Sequence, residues 1–384
     1  MRVAYVGHDR VLRVHDTLSP GDEDLALSVP GLRCNWPVWS LDGERVAFSG
    51  YSGDETLGVY ITGYDNPGPG LIYSNEVGTG EIARATPHYC SWAPDGSRLA
   101  FVAQTISGLS LFVWDGDSRN SPRVAQDGGP MYFTWSPDSS QIYTHSFLQH
   151  YLIDVSEEAL PQQFPGRGTQ YMSPSWGREG DGIAFFLDGE HGKQRLVVIN
   201  LKDSSARMLT EFYGLAAVAW RPGYAQLGMV KETIRNTGFY SGLWLVDYET
   251  REEVQLSDDP ALAFYWSPDG SKAAYVTQSD GAEGSLRFGV VEVESGELTY
   301  LSDFTPSQEQ LIHFMFFDQY AQSHPVWSPD SSALLVCGQP GYQLIRSELP
   351  MGESNRVMLL DADGKEAPRD LAGGFIGCWG RDAV

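Results

Sequence analysis

The chain has 384 residues, among them 42 Gly, 22 Pro and 30 Tyr and Trp, and its 26 Lys and Arg against 50 Asp and Glu give a formal net charge of −24. That balance disfavours nucleic acid or an anionic membrane surface as partner, because phosphate binding needs Lys/Arg patches, and it points to an acidic, soluble protein. No apolar run reaches membrane-spanning length, so no membrane insertion is expected. The first residues (Met1 to Gly7) lack the basic region, apolar core and cleavage site of a secretory signal, which reads as cytoplasmic.

One short pattern recurs along the chain. It is Trp39-Ser-Leu-Asp-Gly, Trp92-Ala-Pro-Asp-Gly, Trp135-Ser-Pro-Asp-Ser, Trp176-Gly-Arg-Glu-Gly, Trp220-Arg-Pro-Gly, Trp266-Ser-Pro-Asp-Gly, Trp327-Ser-Pro-Asp-Ser and Trp379-Gly-Arg-Asp. Ser-Pro-Asp-Gly suits a type I turn, with Pro presetting φ at the second position and Gly closing it. The Trp before it ends a strand and offers a large apolar surface. The spacings are 53, 43, 41, 44, 46, 61 and 52 residues. A period in the forties is that of a four-stranded propeller blade.

This motif resembles the Trp-Ser-Pro-Asp-Gly repeat of TolB-like propellers, the WD40-like PD40 repeat family, and the resemblance covers the whole chain. It implies an all-β fold of four-stranded antiparallel blades. It does not imply one function, since such propellers include scaffolds, periplasmic partners, peptidase gatekeepers and lyases.

In chain order, each unit supplies four strand-like pieces: a (ending at Trp), b, c and d. Residues 3–7, 11–16 and 25–29 match b, c and d with no preceding Trp. Complete units follow from Trp39, Trp92, Trp135, Trp176, Trp220, Trp266 and Trp327, with poor d strands near 162–164 and 369–372. A last a strand, 375–379, ends the pattern. The orphan a at one end and the orphan b, c and d at the other complete each other. The expectation is therefore one domain spanning 1–384, an eight-bladed propeller whose last blade joins 374–384 to 1–30 and leaves no open sheet edge.

In an up-and-down blade the a–b and c–d turns share one face, and the b–c and d–a connections share the other. The Ser-Pro-Asp-Gly turns are all a–b. The long connections 231–242, 278–287, 303–323 and 338–355 are b–c or d–a. One face is plain and the other elaborated, and elaborated loops on a rigid scaffold are where function usually sits.

The strongest candidate is 306–324, which sets Phe314, Met315, Phe316, Phe317 and Tyr320 beside His313, Asp318 and His324. As a binding element it offers Phe316 and Phe317 as an apolar anchor and Asp318, Tyr320 and His324 as polar contacts. The competing reading is an insertion that plugs the wide centre of the ring. His88 precedes its Trp by four residues and joins the candidates at the channel mouth. His8, His15, His145, His150 and His191 are scattered, and Asp115–Asn120 reads as a hairpin turn rather than a Ca loop.

Cys34, Cys90, Cys337 and Cys378 have no metal-type spacing. Three of them lie near a strands beside His88, so mixed Cys/His ligation is weighed against buried inert thiols, which is the reading adopted. No Gly-x-Ser-x-Gly elbow, phosphate loop or dinucleotide fingerprint occurs. The expected function is a non-catalytic binding or scaffold propeller for a protein or peptide, without a cofactor. The alternative is a metal-dependent lyase or hydrolase, acting on a small polar or saccharide ligand around a divalent ion.

Overall fold

The computed structural model describes residues 1–384 apart from 20, 22, 53–56, 76–87, 106–107, 118, 130, 157–159, 169–171, 178–179, 181, 233–237, 282–283, 342–353 and 381–384. Parts of the connections 231–242, 278–287 and 338–355, of the turns at 115–120 and 176–180, and of the terminal segment 374–384 therefore lie outside the described residues.

The repeats become antiparallel four-stranded sheets in sequential order. Five stand alone. They run Leu32–Trp39, Arg45–Ser52, Gly58–Gly63, Gly70–Ser74; Tyr89–Trp92, Leu99–Thr105, Gly108–Trp114, Arg123–Asp127; Met131–Trp135, Gln141–Ser146, Gln149–Asp154, Gln162–Gln163; Ser175–Trp176, Gly182–Asp188, Gln194–Asn200, Ala206–Phe212; and Ala216–Trp220, Gln226–Lys231, Leu243–Asp247, Glu253–Ser257. The remaining strands form one composite sheet. In it Ala263–Trp266, Lys272–Gln278, Leu286–Glu292 and Leu298–Tyr300 pair in turn, and Phe304–Pro306 bridges Leu286 to Ala333–Pro340. That bridge needs Gly338, since a Cβ there would stand 2.1 Å from the Thr305 carbonyl oxygen.

The weak d piece and the last a piece are one continuous strand. Arg369–Gly380 pairs through its first half with Arg356–Asp361 and through its second half with the N-terminal Arg2–Gly7. Arg2–Gly7 pairs on to Leu12–Asp16, which pairs with Leu25–Ala26. The two chain ends thus share one sheet, with Val3 opposite Trp379.

The turn is built as its residues dictate. The Gly270 N–H donates to the Ser267 carbonyl at 2.9 Å, and Asp269 accepts from the Ser267 hydroxyl at 2.6 Å and the Ser271 N–H at 3.0 Å. Gly270 has φ +71, and in the copies ending in Ser the same left-handed position is held by Ser139 and Ser331 at +64 and +62. Their hydroxyls accept from the backbone N–H of Asp95 and Asp269 in neighbouring turns.

The tryptophans link sheet to sheet. Seven of them, Trp92, Trp135, Trp176, Trp220, Trp266, Trp327 and Trp379, donate Nε1–H to the carbonyl one residue before the preceding Trp, at 3.0–3.3 Å. Trp39 packs over Gly380, but its Nε1 has no partner among the described residues. The cores lie between sheets, as where Val38, Ala47 and Val59 meet Trp92, Leu99 and Phe101. Each large side chain buried this way contributes about 1.5–3 kcal/mol.

Candidate functional site

The stretch 306–324 folds as two short helices, α1 (Gln308–Met315) and α2 (Phe317–Ser323). Ser307 caps α1 by accepting from the Gln310 N–H at 3.0 Å, and its hydroxyl donates to the Phe375 carbonyl. Ser307-x-x-Gln310 is a capping-box sequence, so the start of this helix is written in the residues themselves. Gln310 turns inward, accepting from the Cys337 N–H at 3.2 Å and meeting His313 Nδ1 at 3.1 Å. At Phe316 (φ −119, ψ 35) the first helix ends and the chain bends into α2.

The a strands of neighbouring sheets contact one another, and α2 touches four of them: Tyr89–Trp92, Met131–Trp135, Ala216–Trp220 and Ala263–Trp266. α1 touches Phe304–Pro306, Ala333–Pro340 and Arg369–Gly380. The insertion therefore sits among the a strands as a plug. Phe317 is 3% exposed and packs on Phe264, Tyr265 and Tyr240 at 5.3, 6.0 and 6.2 Å between ring centroids. Tyr320 stacks on Trp36 at 4.7 Å and meets Tyr89 edge-on at 5.3 Å. Trp36 is itself buried with φ +52, a left-handed conformation unusual for a bulky residue. His324 is buried beside Trp36 and Tyr320, with Nδ1 at 2.8 Å from the Ser323 hydroxyl.

Burial sets the electrostatics. It pushes the His324 imidazole down to about 3 and holds His313 well below the ordinary range, so both rings are neutral. The Nε2 atoms of both lack partners among the described residues. Asp318 is half-buried and accepts from the Ser173 N–H at 2.8 Å. Desolvation outweighs these backbone donors and raises its carboxyl to about 6.

Of the predicted site residues, Phe316, Phe317, Asp318, Tyr320 and His324 are brought together, and His88 is not. His88 lies between sheets with Nδ1 at 3.0 Å from the Ser49 hydroxyl and Nε2 at 2.7 Å from Asn75 Oδ1, and burial lowers it to about 3. The scattered histidines include one pair the sequence does not suggest, His145 and His150, stacked at 4.4 Å. All four cysteines are free and buried, with Cys34 pushed up to about 11 and Cys378 to about 12. Among the described residues no group of three His, Cys, Asp or Glu stands where it would hold a metal ion. Near Asp115–Asn120, the Asn120 N–H donates to the Asp117 carbonyl and Asp117 pairs with Arg119, as in an ordinary turn.

The outer side of the plug differs from the inner. Leu311, Met315 and Phe316 are 38, 59 and 44% exposed. Leu311 and Met315 are one helical turn apart, so they share a face, and Phe316 follows at the bend. By sequence Phe316 groups with Phe317, whereas Leu311, Met315, Tyr265 and Trp36 do not stand out as site residues. Helical periodicity behind the capping box is the signal that points to the first two.

No family model and no curated protein matches the chain. Solved structures do. A eukaryotic initiation factor matches at TM-score 0.56 with 10% identity, over 98% of this chain and 97% of that one. An oligogalacturonate lyase in complex with manganese matches at 0.54 with 14% identity, over 74% and 76%. TolB from Acinetobacter baumannii matches at 0.41 with 14% identity, over 78% and 63%. The first two, with the sequential four-stranded sheets, define the fold as a β-propeller. Among the described residues no helix is long and apolar enough to cross a membrane.

Proposed function

We propose that the chain is a non-catalytic propeller that binds a protein or peptide through its elaborated face, with Leu311, Met315 and Phe316 as the apolar anchor. The observation that carries this reading is the exposure of those three side chains in an insertion whose other aromatics are packed into the channel. Phe147, Tyr213 and Leu215 are also exposed, and they lie on b–c and d–a connections of the same face. Aromatic and Met side chains at the centre of a patch are the usual energetic anchors of an interface. In this reading Phe317, Tyr320, His324 and His88 hold the surface from beneath rather than touch the partner. The net charge of −24 favours a partner with a basic rim.

The ring is read as a single domain of eight blades of TolB-like, PD40 type. What supports that count is the run of eight Trp repeats, the seven Trp links, the shared sheet of the two chain ends and the seat of Trp39 on Gly380. The test of function is capture from a lysate of the source organism, read by mass spectrometry, with wild type and a Met315→Ser, Phe316→Ser variant of equal melting temperature. A partner held by wild type and lost by the variant is expected. A partner held equally by both places the binding face elsewhere.

The second reading is a metal-dependent lyase or hydrolase at the channel mouth, and its support is likeness of fold to the oligogalacturonate lyase. Against it, His88 already uses both ring nitrogens, and among the described residues no group of three His, Cys, Asp or Glu stands where it would hold a metal ion. A divalent ion copurifying with the protein, or a melting-temperature rise with added Mn, Zn or Ca, would revive it.

A further inference from the structure

A groove of about 480 Å³ lies between α2 and the a strands of the fifth and sixth sheets and reaches the a–b turns at Pro222 and Pro268. Its walls are aromatic, with Trp220, Phe264, Trp266, Phe317 and Trp327 among them, and Asp318 and Gln322 stand on its α2 side.

Two polar groups in it lack the partners burial calls for. Asp318 is acidic, yet among the described residues no Lys, Arg or His forms an ion pair with it. Its contacts are neutral backbone N–H groups of Ser173 and of the start of α2, and burial lifts its carboxyl to about 6. Tyr265, 4% exposed, is one of the lining residues, and its phenol oxygen has no partner among the described residues. Even half-buried, an anion without a countercharge beside apolar walls is disfavoured unless something cationic completes it.

We propose that this groove binds a small quaternary ammonium compound, with Asp318 as its countercharge and the aromatic walls around its methyl groups. Charge complementarity selects a cation, and the net charge of −24 concentrates cations at the surface. The walls select the kind of cation. A primary ammonium brings three N–H donors, which the faces of aromatic walls such as Trp220, Phe264, Trp266, Phe317 and Trp327 do not satisfy as oxygen acceptors would. A quaternary ammonium leaves no N–H unsatisfied and is held by aromatic rings. This site is independent of the protein-binding face, since none of Leu311, Met315 or Phe316 lines it.

The test uses the full chain and three probes: choline, its neutral isostere 3,3-dimethyl-1-butanol, and n-butylammonium. Binding is followed by calorimetry and by the fluorescence of the groove tryptophans. Choline is expected to bind at least about tenfold tighter than either other probe. Asp318→Asn is expected to weaken choline at least about tenfold while leaving 3,3-dimethyl-1-butanol unchanged. The comparison of probes on wild type stands even where a variant fails to fold. Equal binding of choline and its isostere overturns the charge assignment. Tighter binding of n-butylammonium overturns the quaternary assignment. Absence of choline binding up to about 10 mM, an affinity weaker than about 3 kcal/mol, overturns the site.

Discussion

The two halves of one insertion make opposite use of the same residue types. Phe316 and Phe317 are adjacent, yet one is 44% exposed and the other 3%. α1 lies toward the elaborated face and leaves Leu311 and Met315 open. α2 lies against four a strands and buries Phe317 and Tyr320. The difference comes from the bend at Phe316, which separates a helix that presents from a helix that fills. A wide ring has a centre that its own strands do not fill, and the aromatics of α2 supply the missing packing. Once that segment is anchored, its neighbour can carry apolar side chains in solvent at little cost to the fold.

This contrast breaks most visibly in stability. Phe317→Ala is expected to cost about 3–5 kcal/mol, the usual range for truncating a fully packed aromatic, and Phe316→Ala less than about 0.5 kcal/mol. Urea denaturation of the two variants checks it, and similar losses would mean that the bend does not divide the insertion.

A second effect concerns Asp318 and has a definite sign. Its folded pKa of about 6 stands above the ordinary 3.8. The proton is therefore held more tightly in the folded state, and the stability this contributes is present below pH 4 and lost as pH rises through 6. Asp318→Asn, neutral at all pH, should match wild type near pH 4 and exceed it by about 1–3 kcal/mol at pH 8, in buffer free of organic cations. Melting curves across that range test this, and a variant less stable at pH 8 would mean that the carboxylate is stabilised where it stands.

The smallest effect concerns the ring's Trp links. Trp327 donates to the Tyr265 carbonyl at 3.1 Å, whereas Trp39 Nε1 has no partner among the described residues. Both are buried, so replacement by Phe removes similar volume. Trp327→Phe should therefore cost about 1 kcal/mol more than Trp39→Phe, the worth of one hydrogen bond. Equal costs would place a partner on Trp39.

Most of the sheet architecture is legible in the sequence because the repeat is local. A Trp, a turn and an alternating strand are set by residues a few positions apart, and the strands that flank the described turns follow that code. The joint of the two chain ends is legible for a topological reason, an a without its b, c and d. The helices of the insertion are legible in principle from Ser307 and Gln310, but a run of aromatics points to binding as readily as to packing. The division between Phe316 and Phe317 is not legible, because it depends on which a strands surround the segment. Nor is the separation of His88 from His324, whose partners Ser49, Asn75 and Trp36 come from distant parts of the sequence. The Asp318 and Tyr265 pairing of unmet polar groups likewise exists only once the plug is seated.

The outward side of the plug is proposed as the surface a partner meets. A photo-crosslinking residue placed at Phe316, or at Tyr224 on the opposite face, tests this most directly in cells of the source organism. An adduct of one discrete mass from position 316 and none from position 224 is expected. An adduct from 224 with none from 316 would contradict it.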